Sequence, residues 1–600
     1  MTVQNQNDRI RQGWEELRGQ PLVYEAVLPP LFVNHSRFAR GFSHAIATFA
    51  IRVFHNREEN FYADANRAIR ENSRYYIEHT DVRDDRDSFY WNISEICRVI
   101  LRYGTKGDNA PGLVSAETEA IFLEMALGYC RDHSRLTNAE VENRATWRIY
   151  ESENHHVQKN IALWQLLLIL LRYGCGDEIM GDGARAAVHF DAWSTFFKVW
   201  MRERAGHSML VEVHSKGYGE STLRNLFPLH DFAPDEELRR MSGDFITLYW
   251  ALWAQEQLCG IQGGGQSRVY THHTVTTYSG QARWAWYYCG IGEHYTPDGS
   301  DYTLLDCSYR MPPLIAKMIH HPEMRGTYEV ESRPYGKAAP DDNFPDYRLD
   351  TEWGHIYRYT YCTPDYILGT QQYPQLNRRQ WCNISAQNRY QGATFRETDA
   401  MITPIVMPRE MTDFYKTTAY NTSWSMMRGS TLLSQCCYNY DGIMRVFFSR
   451  SGGIRDSMTE ADGWIFAQCG DAYAALRVCR GGYVFEEDRH VPGTWVICED
   501  GRSPIILEMG DRKQYPDRAS FEAAVLTHIP RWEGEVLHYT SLSGHDFMMI
   551  TGRDGESTVD GEYYVKKPDV SLHSPFVNCP WGGDTVQITF GGETMTLSFA

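Results

Sequence analysis

The chain contains no Cys-x-x-Cys pair, and none of its 14 cysteines falls at zinc-ligand spacing. Even the adjacent Cys436 and Cys437 lie outside any such pattern. In a chain of 600 residues, this scatter predicts buried reduced thiols rather than a disulfide framework. There is also no apolar run of the roughly 18 residues or more that a membrane-crossing helix needs. The longest, Ile161 to Leu171, is shorter and holds Gln165. The N-terminus, Met1-Thr-Val-Gln-Asn-Gln-Asn-Asp-Arg9, lacks the basic and apolar regions of a signal peptide. As numbered, the chain is therefore expected in the cytoplasm, or in the periplasm or outside the cell if a leader was removed before this numbering. Basic charge is in short supply, because the net charge is −18. That excludes a generic nucleic-acid binder and a polybasic membrane-surface protein. It does not exclude an anionic substrate, since a local basic cleft can sit on an acidic body.

What is present suits a large globular protein. Hydrophobic residues make up 42% and charged residues 23%, so a sizeable core is expected. The length predicts two to four domains at about 100–200 residues each. Aromatic residues are plentiful, with 17 Trp and 37 Tyr. They fill a core, or offer flat apolar faces with polar rims that suit sugar rings.

The first half reads as helices over 35–54, 89–103, 117–130, 154–173, 192–203 and 235–258, with apolar residues recurring at steps of three and four. Ile96-Cys-Arg-Val-Ile-Leu-Arg-Tyr-Gly104 echoes Leu166-Leu-Leu-Ile-Leu-Leu-Arg-Tyr-Gly174. Gly after a helix takes a left-handed φ without strain, and Arg in the last turn meets the carbonyl end of the dipole. The echo predicts two equivalent helix ends, with two or three helices fitted between them, and repeated helical hairpins of this kind build toroids. Near residue 350 the texture changes. Short β-rich runs recur between Gly, Asp and Asn turns, at 355–363, 442–449, 493–498, 545–550 and 585–590, with one helix inserted around 518–526. Such spacing predicts a β-sandwich. The expected architecture is a helical domain over 1–350 followed by an antiparallel β domain over 351–600, rather than an alternating α/β fold.

Three stretches could carry chemistry. Ser152-Glu153-Asn154-His155-His156 directly precedes the apolar helix that starts near Val157. Unpaired amides and the positive dipole end make a helix start a place for a carboxylate. The alternative is a plain cap through Ser152 or Asn154. Val211-Glu-Val-His214-Ser-Lys-Gly-Tyr218-Gly-Glu220 holds two natural proton-transfer groups in a glycine-flanked segment, or is an ordinary surface loop. Gly263-Gly-Gly265-Gln-Ser-Arg268-Val-Tyr270 lets backbone approach a ligand and places an Arg able to fork onto a carboxylate. It lacks the Lys-Ser/Thr of a phosphate loop, and a flexible connector is the alternative. Beyond it lie His272, His273, Trp284 and Trp286, with core packing expected for at least one of the two tryptophans.

One reaction needs this set of side chains. β-Elimination at a uronic acid removes the proton beside the carboxylate, so that carboxylate must first be neutralised by hydrogen bonds aimed where charge develops. A base then takes the C5 proton and an acid serves the leaving O4. The motifs resemble polysaccharide lyases built as an (α/α) toroid plus an antiparallel β-sandwich, the alginate, glucuronan, heparin and hyaluronan lyase groups. Asn154-His155 is similar to the Asn-His pair of that class, His214 with Tyr218 to its proton-transfer pair, and Arg268 to its carboxylate-binding Arg. The segment from Tyr357 to Thr370 resembles its first sandwich strands. The resemblance implies cleavage of an acidic polysaccharide or oligosaccharide without a cofactor. It implies that Asn154 and Arg268 bind the carboxylate with help from His155. Tyr218 would be the acid and possible base, with His214 the alternative base. His156, Glu153, Tyr270 and Trp284 would contact substrate. A metal site formed in three dimensions and a homo-oligomer stay open. The competing expectation is a glycoside hydrolase using two carboxylates about 5–10 Å apart, Glu153 and Glu220, with Glu151 or Asp231 as substitutes. A third is a non-catalytic glycan-binding protein.

Overall fold

A computed structural model describes residues 3–20, 42–84, 89–147, 149, 152–212, 214–269, 271–298, 301–334, 356–373, 389–408, 423–436, 442–551, 556–566 and 569–600. The chain is helical as far as residue 255 and then mostly antiparallel sheet. The helices that frame the site are α1 (Val3–Gly19), α2 (Phe42–Asn56), α3 (Tyr62–Glu78), α4 (Tyr90–Tyr103), α5 (Ala116–His133), α6 (Glu153–Arg172), α7 (Ala186–Ala205), α8 (Gly219–Phe232), α9 (Glu236–Gln255), α10 (Gly280–Cys289) and α11 (Pro313–His320). Helix α6 is buried almost all round from Val157 to Leu170, as an apolar helix without a polar face must be. It packs on α4, α5, α7 and α8.

Cross-helix pairs give the direction of the helices. Glu95 and Arg98 of α4 meet Arg224 and Asp231 of α8 in that order. His44 and Phe54 of α2 meet Glu95 and Tyr103, and Arg283 and Trp284 of α10 meet Glu220 and Phe227 of α8. So α2, α4, α8 and α10 run in the same direction. The Tyr90–His155 and Gln158–Ser221 contacts bring the start of α6 to the same end. Deeper between these helices, Arg98 and Arg102 are locked by Asp231 and Asp306, with Arg98 Nη2 at 2.8 Å from Asp231 and Nη1 at 2.7 Å from Asp306. All four are substantially buried. Removing one member would strand a buried charge.

The two Leu-Arg-Tyr-Gly ends differ from expectation. Among the described residues, one α-helix, α5, lies between them, with two short 3₁₀ segments, instead of two or three helices. Gly174 does take a left-handed φ of 82°, but Gly104 has φ −66°. Gly104 is required by space, because a Cβ there would overlap the Tyr173 hydroxyl and the Ile100 carbonyl. The Tyr173 hydroxyl donates to Glu119 Oε1 at 2.5 Å, which ties the end of α6 to the first turn of α5, and its close approach to Gly104 sets it against the end of α4.

The β half begins before residue 350. Strands β1 (Gln257–Leu258) and β2 (Ile261–Gln262) form a small hairpin, and β3 (Tyr328–Ser332) already belongs to the large sheet. Next to it come β4 (Tyr357–Cys362), β5 (Tyr366–Gln372), β6 (Gly392–Phe395) and β7 (Met401–Pro408), all antiparallel neighbours. The strands expected near 442, 493, 545 and 585, and the helix near 518, are all present. A second sheet, which includes Ser423–Arg428, Thr431–Cys436, Trp464–Cys469, Ala472–Val478 and Ile505–Asp511, shares one hydrophobic core with the inner faces of β4 and β5. The last strands, from Val570 to Ser598, instead pack their apolar faces into the helical core, through residues such as Val577, Ile588 and Phe599. No helix is long and apolar enough to cross a membrane among the described residues. The described cysteines are free thiols, most of them buried.

Candidate functional site

The start of α6 is capped by Ser152, whose Oγ accepts the His155 amide N–H at 3.4 Å and donates to Asn154 Oδ1 at 2.7 Å. The cap expected through Ser152 is therefore present. Asn154 is buried, and its Nδ2 has no hydrogen-bond partner among the described residues. An orphaned buried donor costs about 1–3 kcal/mol, and it stands at the positive end of a helix. His155 is half-buried, its Nδ1 3.1 Å from the Tyr90 hydroxyl and its ring edge-on to Trp91. His156 sits 3.2 Å from Asn160 Nδ2 and beside Phe196. Burial, then the nearby Arg204 charge, pulls its pKa down to about 3, so it is neutral.

Glu153 connects this helix start to the second stretch. Its buried Oε2 accepts the Glu212 amide N–H at 3.2 Å. Burial, then the Glu212 carboxylate, pushes the Glu153 pKa up to about 8. Glu212 Oε1 in turn accepts Arg268 Nη1 at 3.0 Å, and the Arg268 guanidinium lies 4.3 Å over the Tyr218 ring. A cation over a phenol ring is attracted to its face. Arg268 has φ +52°, a left-handed backbone that is uncommon for a non-glycine residue, and its carbonyl accepts from Ser215 Oγ at 2.9 Å. Residues from all three stretches thus form one chain of contacts, Glu153–Glu212–Arg268–Tyr218. Gln158 Nε2, one turn beyond Asn154, donates to Ser221 Oγ at 3.2 Å, just past Tyr218.

His214 faces elsewhere. It is buried, with Nδ1 3.2 Å from Gln262 Nε2 and Nε2 3.4 Å from Glu256 Oε2. Glu256 also accepts Arg358 Nη2 at 2.5 Å. Burial, with Arg358 adding to it, holds the His214 pKa well below its usual value. The glycines of 263–265 serve packing against β5. A Cβ on Gly264 or Gly265 would meet Glu256 or the Thr370 backbone, and one on Gly369 would meet Gly264. Trp284 is fully buried, donates to Asp301 Oδ1 at 3.0 Å and stacks on Phe227. It takes the core role expected for one tryptophan. Trp286 lies against the His294 ring, tilted by 30° with ring centroids 3.9 Å apart. Tyr270 and Glu151 lie outside the described residues. Of the other carboxylates, Asp231 is committed to Arg98 and Ser308. Glu220 sits 3.5 Å from Arg283 Nη2, and burial raises its pKa.

Several residues escaped the sequence reading. Glu212 stood inside a quoted stretch, but nothing in its spacing marked it as the buried link. Tyr90 and the His44–Glu95–Arg224 cluster, with His44 Nδ1 at 2.6 Å from Glu95, come from helix ends far apart in sequence. Glu95 holds the His44 pKa up. Lys216 is buried and donates to the His273 and Thr276 carbonyls at 3.1 and 2.6 Å. Its ammonium lies 4.2 Å over Tyr390, and burial pulls its pKa down to about 7. It ties the segment carrying Tyr218 to the turn before α10. No group of three His, Cys, Asp or Glu side chains able to hold a metal occurs among the described residues. No protein-family model matches the chain, and no curated protein matches it.

Proposed function

We propose that the protein is a polysaccharide lyase of the (α/α) toroid plus antiparallel β-sandwich type, cleaving a uronate-containing saccharide by β-elimination. The observation that carries the reading is the unpartnered, buried Asn154 Nδ2 at the amino end of α6, in an assembly that also presents His155, Arg268 and Tyr218. A substrate carboxylate supplies the acceptor this amide lacks, and the helix dipole favours its charge. Neutralising that carboxylate lowers the cost of charge developing at C5. Tyr218, under the Arg268 guanidinium, takes the C5 proton as phenolate and returns a proton to the departing O4. The protonated Glu153 adds no second charge beside Glu212, which leaves Glu212 to hold Arg268 over the ring. His214, enclosed by Gln262 and Glu256, is assigned here to positioning rather than to proton abstraction.

The raised pKa values of Glu153 and Glu220 favour one competing reading, hydrolysis with a carboxylic acid as proton donor. The two are separated with the Tyr218→Phe and Glu153→Gln proteins on uronate polymers. A lyase loses turnover in the first and keeps most of it in the second. A hydrolase does the reverse.

A further inference from the structure

A cavity of about 440 Å³ opens at the β1–β2 hairpin, within the range of about 300–1,000 Å³ typical of small-molecule pockets. Four chain segments build it: the turn of the β1–β2 hairpin, residues 276–279 leading into α10, residues 291–295 after α10, and the turn 396–399 between β6 and β7. Its walls are fixed. Gly260 and Gly292, both at positive φ, touch backbone to backbone, so a Cβ on Gly260 would meet Gly292 at 3.1 Å. Asp399 Oδ1 pins the opposite wall by accepting from the Thr276 hydroxyl and from the amide and hydroxyl of Thr277, at 2.7–3.1 Å.

Tyr278 and Tyr295 are 46% and 38% exposed, with rings edge to face and centroids 6.2 Å apart. Arg396 is exposed, with no carboxylate at ion-pair distance among the described residues, although its charge is felt by Glu323 and Asp365. Its guanidinium donates to Cys259 Sγ at 3.7 Å. Glu293, also exposed, accepts from the Tyr295 hydroxyl at 3.4 Å. The cavity therefore offers an aromatic edge, one guanidinium for an anion, and one carboxylate that requires a donor. A densely sulfated ligand would be repelled by Glu293 and Asp399. A sugar with one carboxylate and several hydroxyls satisfies all three features.

We propose that this cavity binds a uronate-bearing saccharide, with Arg396 on the carboxylate, Glu293 taking hydroxyl donors and Tyr278 and Tyr295 flanking the ring. This rests on the lyase reading only for its place as a subsite. The Thr276 carbonyl in its wall is held by Lys216, two residues before Tyr218, and Gly280, next in the chain to the lining residue Ser279, abuts Glu220, two residues after Tyr218. A saccharide bound here extends the chain that reaches the cleavage centre.

The test uses full-length protein carrying Tyr218→Phe, so that ligand is not consumed, titrated calorimetrically with defined oligosaccharides of glucuronan and alginate and with a neutral cello-oligosaccharide. Arg396→Ala is expected to weaken acidic oligosaccharides about ten-fold or more, as loss of a charge-assisted contact does, with Arg396→Lys restoring part of it. Tyr278→Ala combined with Tyr295→Ala weakens them as well, and all variants leave the melting temperature unchanged. Parallel turnover assays on proteins retaining Tyr218 separate the two claims. Turnover with variant-sensitive binding supports both. Turnover with binding and product lengths unchanged in the variants overturns the subsite and spares the lyase. Variant-sensitive binding without turnover supports the cavity and overturns the lyase. Neither binding nor turnover with any uronate overturns both.

Discussion

Glu153→Gln tests the electrostatics of the site through stability as well as activity. The folded protein holds the Glu153 proton with a pKa of about 8, against 4.5 for the free side chain. Folded protein thus binds more protons than unfolded chain between those values, so stability falls as pH rises through that window. At about 1.4 kcal/mol per pH unit, the loss between pH 4.5 and 7 is roughly 3 kcal/mol. Glutamine occupies the same space without an ionisable proton. Its carbonyl takes over the Glu212 amide bond, and its NH₂ is a donor beside the unpartnered Glu212 Oε2. The variant should therefore match wild type near pH 4.5 and become progressively more stable than wild type towards pH 8. Denaturant midpoints followed by far-ultraviolet circular dichroism across that range measure the difference. A difference that does not change with pH would refute the assignment of a buried, protonated Glu153.

The other predictions follow from the same contacts. Asn154→Ala removes the carboxylate donor and should lower kcat by about 10²–10³, the cost of one preorganised donor, with the melting temperature maintained because a buried orphan is lost. Arg268→Met strands Glu212 and should destabilise by about 3–5 kcal/mol, measured by chemical unfolding. Arg268→Lys should recover stability better than activity, since a lysine does not reproduce the planar contact over Tyr218. Gly104→Ala, at a non-left-handed φ, should still destabilise through the clash with Tyr173, a loss visible as a lower melting temperature.

Local pattern was legible and remote pairing was not. Helix α6 was readable because its apolar run is long and unbroken, and the strands near 442, 493 and 585 because turn residues bracket them. Helix α8 was missed, since Pro228 lies within it and its start, Gly219, is set by close packing on Gln281 and Tyr249. The Gly263–Gly265 run looked like a ligand loop, yet its glycines answer to the approach of β5. The convergence of Glu153, Glu212, Arg268 and Tyr218 depends on contacts across about fifty to sixty residues of sequence, which no periodicity encodes. Asn154 was selected for its place at a helix start, and its unpartnered amide nitrogen became visible only in three dimensions.

The central claim is that these groups gather around one acidic sugar to eliminate rather than hydrolyse. Incubation with glucuronan, alginate and glycosaminoglycans, followed by ultraviolet absorbance of the unsaturated uronate and by reducing-end assay, tests it most directly. The account predicts that absorbance and reducing ends rise together on at least one polymer and that both vanish in Tyr218→Phe. New reducing ends without absorbance would contradict it.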